Sequence, residues 1–206
     1  MRPGKIICVG RNYAAHAREL GNEVPEEPLL FSKPASALLA AGTALELPRG
    51  YERIDMEAEL VVVIGRAGRG FARERALDHV AGYVLGNDVS CRDLQKRDKQ
   101  WTRAKGFDGF APIGPLVRMH PPGVALDPAV RVQGFISGAL RQDAPIADMI
   151  FDIATVLSYI AACMTLEPGD LIFTGTPEGV SELLPGSSTE VACEGVVLGR
   201  LTTPLR

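Results

Sequence analysis

Short apolar runs, each ended by a glycine, a proline or a polar turn, recur along the whole chain. Clear examples are KIICVG at 5–10, LLFSKP at 29–34, LVVVIG at 60–65, YVLG at 83–86 and LIFTG at 171–175. Runs of this length that are rich in Val, Ile, Leu and Phe favour strands when turn residues bound them. A further pair, 130–136 and 139–142, flanks Ser137 and Gly138 and predicts a hairpin. The pattern therefore predicts many short strands.

Helical patterns are fewer. The first lies between Asn12, which can cap a helix, and Gly21, which can end one. The other predicted helices are 76–82, 91–101 after a potential cap at Ser90, and 149–164 after a potential cap at Asp148. The apolar residues of 149–164 cover more than one face, so we expect a core helix there.

Two glutamates precede the most apolar strand. The stretch DMEAELVVVIG, 55–65, places Glu57 and Glu59 two residues apart, so their side chains point to the same side of a strand. Two neighbouring carboxylates beside a core cost free energy unless a proton or a cation lies between them. A divalent ion is the simplest compensation. The alternative is that both lie on an exposed strand end and contact only water.

Four other polar groups have settings that suit a site. Asp88 follows a predicted strand, and Lys105 lies in a loop of Gly, Phe and Pro, where a lysine can be partly desolvated. His16 and Glu19 share one helix face at i and i+3, which suits a carboxylate that orients an imidazole. The turn 174–177, TGTP, can present N–H groups and hydroxyls to a carboxylate. All of these except Asp88 also have an ordinary explanation: a surface lysine, an exposed helical pair or a tight turn.

Composition narrows the class of protein. The 206 residues suffice for one domain, which we expect to span 1–206, and the formal net charge of −3 gives no electrostatic case for nucleic acid or an anionic membrane as partner. No apolar run is long enough to span a membrane, and the N-terminus lacks the apolar region of a signal peptide. The four cysteines are far apart and form no C-x-x-C pair, so we expect a reducing cytoplasm.

Several stretches in order resemble the fumarylacetoacetate hydrolase family in its short single-domain branch: VGRNYAAHAREL, FSKP, DMEAELVVVIG, GYVLGNDVSCRDLQ, KGFDGFAPIGP, ADMIF and LEPGDLIFTGTPEGV. The resemblance implies an α+β fold, a mixed β-roll with a few flanking helices, and a homodimer. It implies that the metal ligands are Glu57, Glu59 and Asp88, that His16 and Glu19 activate water, and that Lys105 is the cation beside the reacting oxygen. It also implies substrate or supporting contacts for Arg92, Gln95, Lys33 and Thr176. Gly106 departs from the family pattern, in which a serine is common.

The donor types point independently to a hard cation. Three carboxylates without a cysteine or histidine ligand suit Mg²⁺ or Mn²⁺, with Ca²⁺ also compatible, and leave about half of an octahedral shell open. A small 2-oxo acid can chelate such an ion, which stabilises an enolate. The presence of His16 and Glu19 favours a hydrolytic use of that enolate, the cleavage of a 2,4-dioxo acid (an acylpyruvate such as fumarylpyruvate or acetylpyruvate). Decarboxylation of oxaloacetate and isomerisation of 2-hydroxyhepta-2,4-diene-1,7-dioate use the same enolate chemistry. A non-catalytic metal-binding paralogue is the alternative outside enzymes.

Overall fold

Strands dominate this computed structural model, which describes residues 3–115 and 117–206. In chain order they are β1 (Ile6–Gly10), β2 (Leu29–Lys33), β3 (Leu38–Ala40), β4 (Ile54–Met56), β5 (Ala58–Ile64), β6 (Val80–Asn87), β7 (Ser90–Cys91), β8 (Ala111–Ile113), β9 (Arg118–Met119), β10 (Arg131–Ile136), β11 (Ala139–Pro145), β12 (Leu171–Phe173), β13 (Ser181–Glu182), β14 (Ser188–Glu194) and β15 (Arg200–Pro204). The α-helices are α1 (Ala14–Glu19), α2 (Arg92–Asp98), α3 (Thr102–Lys105) and α4 (Ile153–Cys163). Short 3₁₀ helices span Ala35–Ala37, Arg73–His79 and Ile146–Asp148.

The largest sheet is mixed. Its strand order is β2-β1-β12-β5-β6-β8-β3, and β9 pairs with β6 outside this path. β1 is parallel to β12 and β3 to β8, whereas β5 pairs antiparallel with both β12 and β6. β5 and β6 lie in the middle of the sheet, and nearly all of their side chains are buried, as a continuous apolar run predicts. The expected fold class, an α+β mixed β-roll with few helices, is confirmed.

Two smaller sheets complete the fold, with strand orders β11-β10-β14-β15 and β13-β4-β7. The predicted β10–β11 hairpin is present. Its turn residues Ser137 and Gly138 have φ of 48° and 82°, and positive φ at both central positions is the geometry that matches the twist of a tight hairpin. The returning strand extends to Pro145, past the predicted end at Gln142.

One large apolar cluster connects the sheets to α4, through Val156, Leu157 and Ile160 on the helix. The predicted core helix therefore exists, although it is shorter than expected. All four cysteines are free thiols. Within the described ranges, every helix is too short or too polar to cross a bilayer.

The start of α4 differs from the prediction. The helix begins at Ile153, not at residue 149, and its cap is Asp152, which accepts a hydrogen bond from the Thr155 N–H at 2.8 Å. Asp148 lies instead in the preceding 3₁₀ helix. The physical reason is Asn12, whose backbone and side-chain oxygens accept the N–H groups of residues 150 and 151 and so hold that segment out of the helix.

Asn12 itself does not cap α1, which was the expectation. Its side-chain amide donates to the carbonyls of Phe151 and Thr174, so it joins the β1–α1 loop to two distant segments. The predicted helix 76–82 is also wrong, because a 3₁₀ helix ends at His79 and Val80 already pairs with β5. Ser90 does not cap α2, since its hydroxyl donates to the Asp88 carbonyl.

Candidate metal and substrate site

The pairing of β5 with β6 brings three acidic side chains together. Glu57 lies between β4 and β5, Glu59 lies on β5, and Asp88 directly follows β6. The Glu57 N–H donates to the side chain of Asn87, and the Asp88 N–H donates to the Glu57 carbonyl at 2.8 Å. One ligand oxygen from each of the three carboxylates lies within 4.8 Å of the others, and all three residues are buried. The sequence alternative of two exposed, water-bound glutamates is therefore wrong.

Lys105 lies between two of these carboxylates. It belongs to α3 rather than to a loop, and its Nζ donates to Glu57 Oε2 and to Asp88 Oδ2, both at 2.7 Å. The ammonium also lies 5.0 Å from the centre of the Phe31 ring. Burial alone would lower the pKa of Lys105, but the charges of Asp88 and Glu57 outweigh it and raise this pKa. The lysine is therefore a charged group held in a buried position.

Lys33, at the end of β2, supports Asp88 from behind. Its Nζ lies 2.6 Å from Asp88 Oδ1 and donates to the carbonyls of Val89, Lys105 and Phe110. These contacts engage the buried ammonium, and Lys33 does not line the cavity described below. Of the two roles that the resemblance implies for Lys33, a substrate contact or a supporting one, these contacts favour the supporting role beside Asp88.

Arg92, at the start of α2, holds the other side of Glu57. Its Nη2 lies 2.7 Å from Glu57 Oε1, its Nε donates to Asp55 at 2.8 Å, and its Nη1 donates to Gln95 at 2.8 Å. Asp55 was not among the residues expected in the site. It precedes Glu57 by two positions on the same stretch, so the alternation that singled out the glutamates also applied to it.

Burial opposes ionisation of Glu57, but Lys105 and Arg92 outweigh it and hold the pKa of this carboxyl well below its usual value. Glu59 has the opposite balance. Burial, reinforced by the charges of Asp88 and Glu57, raises its pKa well above the usual value. Glu59 therefore lacks sufficient compensating positive charge, which a divalent cation would supply.

The turn after β12 contacts Glu59 from the main chain. The Gly175 N–H donates to Glu59 Oε2 at 2.8 Å, so the predicted carboxylate cradle holds a carboxylate of the protein itself. Gly175 has φ of 102°, and a Cβ there would lie 2.7 Å from the Cβ of Asn12, so only glycine fits. The Thr176 hydroxyl donates to the Ala58 carbonyl and accepts from Gln142, which fixes the hydroxyl at the cavity wall.

His16 and Glu19 lie next to each other on α1. The His16 Nδ1 is 3.4 Å from Glu19 Oε2, and the Gly179 N–H donates to both Glu19 oxygens at 3.0 and 3.2 Å. A carboxylate beside Nδ1 favours the tautomer with its proton on Nδ1, which leaves Nε2 as the basic atom. Burial lowers the pKa of His16, although the charge of Glu57 opposes this. The imidazole is therefore neutral near neutral pH.

These groups surround one cavity of about 240 Å³. Eight of the ten residues expected in the site line it: His16, Glu57, Glu59, Asp88, Arg92, Gln95, Lys105 and Thr176. Glu19 and Lys33 stand behind the lining and contact it through His16 and Asp88. The sequence reasoning missed Arg11, Asn22, Phe31, Lys96 and Trp101, which also line the cavity. Trp101 had one available signal, because it is the only tryptophan in the chain.

The donor set fits a divalent metal. Three buried carboxylates offer hard oxygen atoms, and the cavity opens onto them, which leaves room for water or substrate in the remaining coordination positions. The Lys105 ammonium already shows that a cation is stabilised between two of them.

Comparison with known proteins gives consistent relatives. The family model described as fumarylacetoacetate (FAA) hydrolase C-terminal matches residues 5–206. The mitochondrial oxaloacetate tautomerase FAHD1 of Arabidopsis thaliana is 41% identical over 197 residues, 93% of this chain and 87% of the relative. The structure of fumarylpyruvate hydrolase from Pseudomonas aeruginosa in complex with Mn²⁺ and pyruvate is similar with a TM-score of 0.89 and 39% identity, over 98% of this chain and 89% of that chain. The structure of 2-hydroxyhepta-2,4-diene-1,7-dioate isomerase from Mycobacterium marinum is similar with a TM-score of 0.88 and 39% identity, over 100% of this chain and 75% of that chain.

Proposed function

This chain belongs to the fumarylacetoacetate hydrolase family, and we propose that within it the chain is a divalent-metal-dependent hydrolase of 2,4-dioxo acids. The reaction cleaves the C–C bond of an acylpyruvate to give pyruvate and a carboxylic acid. The observation that carries the proposal is the position of His16, oriented by the Glu19 carboxylate, in the same small cavity as the acidic trio. A decarboxylation needs no activated water, so a positioned general base favours hydrolysis.

Glu57, Glu59 and Asp88 would hold Mg²⁺ or Mn²⁺, which when bound supplies Lewis-acid stabilisation of negative charge on the 2-oxo oxygen of the substrate. Lys105 supplies a fixed positive charge beside the same place, and its desolvation makes that charge more effective than it would be in water. Arg92 keeps Glu57 in place, and Lys33 does the same for Asp88.

His16 is the general base. Its Nε2 takes a proton from water, and the hydroxide attacks the C4 carbonyl of the 2,4-dioxo acid. The C3–C4 bond then breaks, its electron pair becomes the enolate of pyruvate, and C4 leaves as the carboxylic acid. The proton on Nε2 passes to C3 and completes pyruvate. Glu19 stabilises the imidazolium that forms between these steps, and Gly179 fixes Glu19.

A second activity has specific support. The relative at 41% identity is named an oxaloacetate tautomerase, and a histidine and a lysine that line the same cavity can move a proton between the enol oxygen and the carbon of such a substrate. Tautomerisation needs no water as nucleophile, so the two activities separate in a direct assay.

The test is a side-by-side assay of acetylpyruvate, fumarylpyruvate and oxaloacetate. Loss of ultraviolet absorbance of the 2,4-dioxo group, abolished by EDTA and restored by Mg²⁺ or Mn²⁺, is the expected result. His16→Ala is expected to abolish hydrolysis while metal binding, measured by calorimetry, is retained. His120→Ala, a histidine outside the cavity, is the matched control. Undiminished hydrolysis in the His16 variant refutes the mechanism, and absence of metal-dependent turnover of all three compounds supports the non-catalytic alternative.

We also propose a homodimer. Met119 and Val197 are 69% and 71% exposed, and Arg118 lines one surface depression together with Val197, so these apolar side chains belong to neighbouring parts of the surface. Exposed apolar groups of this kind favour contact with a partner. Light scattering during gel filtration tests this, with a mass of one chain as the contradicting result.

A further inference from the structure

The cations predicted to bind substrate are already engaged by the protein. Lys33 contacts Asp88 and three carbonyls, Lys105 contacts Glu57 and Asp88, and Arg92 contacts Asp55, Glu57 and Gln95 through Nε and both Nη atoms. An additional negative charge on a substrate needs a cation with free donors.

Arg11 is such a cation. It lines the cavity, is half-buried and forms no ion pair with a carboxylate of the described residues. Its guanidinium lies 5.9 Å from the centre of the Trp101 ring, a cation–π contact that leaves the N–H groups of the fork available. Planar guanidinium groups bind carboxylates through two parallel hydrogen bonds.

The backbone holds Arg11 in this place. Its φ of 57° is in the left-handed region, which costs free energy for an arginine and persists only where the surrounding structure holds it. On one side, the Trp101 ring covers Gly10 so closely that a Cβ on Gly10 would lie 2.6 Å from it. On the other side, Asn12 is fixed by its hydrogen bonds to Phe151 and Thr174. The side chain is therefore presented from a segment fixed on both flanks.

We propose that Arg11 is a specificity-determining residue that binds a second carboxylate, at the end of the substrate away from its 2-oxo acid group. The substrate class is then the dioic 2-oxo acids, such as an acylpyruvate whose acyl group ends in a carboxylate. This inference rests on the proposed function, because it assumes that the metal site takes the 2-oxo acid end. Lys96 also lines the cavity without an ion pair in the described part of the chain, but its exposed and flexible ammonium is a weaker receptor.

The test uses two non-cleavable probes of equal length, 2-oxoadipate, which has a distal carboxylate, and 2-oxohexanoate, which has a methyl group there. Both are titrated into the Mg²⁺-loaded protein, and binding is followed by the fluorescence of Trp101, the only tryptophan, and independently by calorimetry. The variants are Arg11→Met, Arg11→Gly and Lys96→Met. Arg11→Gly also removes the charge, and glycine adopts the positive φ without strain, so it serves as the second variant if the methionine variant does not fold. Arg18→Met, an exposed arginine outside the cavity, is the matched control.

We expect the wild type and Arg18→Met to bind 2-oxoadipate about 10- to 100-fold more tightly than 2-oxohexanoate, as a charge-assisted hydrogen-bonded pair provides. Both Arg11 variants should reduce that preference to less than about threefold and leave 2-oxohexanoate binding unchanged. Equal binding of the two probes by the wild type overturns the inference alone. The inference is also overturned if the Arg11 variants lose affinity equally for both probes. It is overturned likewise if only Lys96→Met loses the preference for 2-oxoadipate. Failure of the wild type to bind either probe overturns the proposed function together with the inference.

Discussion

Removal of the Lys105 charge should destabilise the metal-free protein strongly. In Lys105→Met an unbranched side chain of similar length is kept, but the carboxylates of Glu57 and Asp88 lose the ammonium that lies 2.7 Å from each. Each contact has a Coulomb energy of about 6 kcal/mol at an effective dielectric constant of about 20, before the cost of desolvating the lysine. Breaking such a buried pair costs a net of about 3–5 kcal/mol, because an uncompensated charge remains inside.

The assay is thermal and urea unfolding in EDTA. For a protein of this size about 1 kcal/mol corresponds to about 2–4 °C, so the melting temperature should fall by about 6–20 °C. Lys96→Met, on the exposed side of α2, should change stability by less than about 0.5 kcal/mol. Added Mn²⁺ at about 100 times its Kd should raise the free energy of unfolding by about 2.7 kcal/mol, in the wild type and in Lys105→Met alike, provided that the metal binds the folded state only.

The stability difference between the wild type and Lys105→Met should also depend on pH in a defined direction. In the wild type the depressed pKa of Glu57 contributes stability that is present above the unfolded-state value of about 4.3 and is lost as the pH falls. Without Lys105 much of this contribution is absent, so the deficit of the variant should be full above about pH 4.3 and should shrink as the pH falls below that value towards the depressed pKa of Glu57. A variant as stable as the wild type in EDTA at neutral pH would falsify the description of Lys105 as the compensating cation.

Three further predictions concern other residues. Because burial lowers the pKa of His16 from 6.5, the acid limb of kcat/KM for acylpyruvate hydrolysis should lie below pH 6.5, and a limb above that value contradicts the assignment of the base. Because the pKa of Glu59 is raised above 4.5, metal-free stability should fall as the pH rises through that raised pKa, and Mn²⁺ binding should release a proton there. Calorimetry in two buffers of different ionisation heat measures this release, and Glu59→Gln should abolish it. Asp152→Ala should cost about 1 kcal/mol in urea unfolding, whereas Asp148→Ala should cost less than about 0.5 kcal/mol; equal costs contradict the assigned cap.

The sequence predicted those features that depend on neighbouring residues. The apolar run 60–65 identified β5, the i and i+2 spacing placed Glu57 and Glu59 together, and the strand end placed Asp88. Their meeting, however, depends on which strands pair. Before the structure, only the family resemblance implied that the three carboxylates meet, because no local sequence pattern indicates that β5 pairs with β6.

Other features depend on contacts between distant segments, which local patterns do not contain. Asparagine often caps helices, but Asn12 instead forms hydrogen bonds with backbone groups of residues 150, 151 and 174. The bonds to residues 150 and 151 also shift the start of α4. Lys33 and Asp88 are 55 positions apart in the sequence, and only the folded sheet brings them into contact. Arg11 has a left-handed backbone that no propensity indicates for arginine.

The two halves of the cavity come from different parts of the chain. The acidic trio lies at the ends of β-strands in the interior, whereas Arg11, Asn22 and Trp101 belong to connecting segments between elements. In the described part of the chain, the hydrogen bonds and ion pairs of the three carboxylates are made by residues other than these wall residues. The architecture thus permits modular evolution: gene duplicates, or libraries made in the laboratory, can acquire new substrate preferences while inheriting the acidic trio intact.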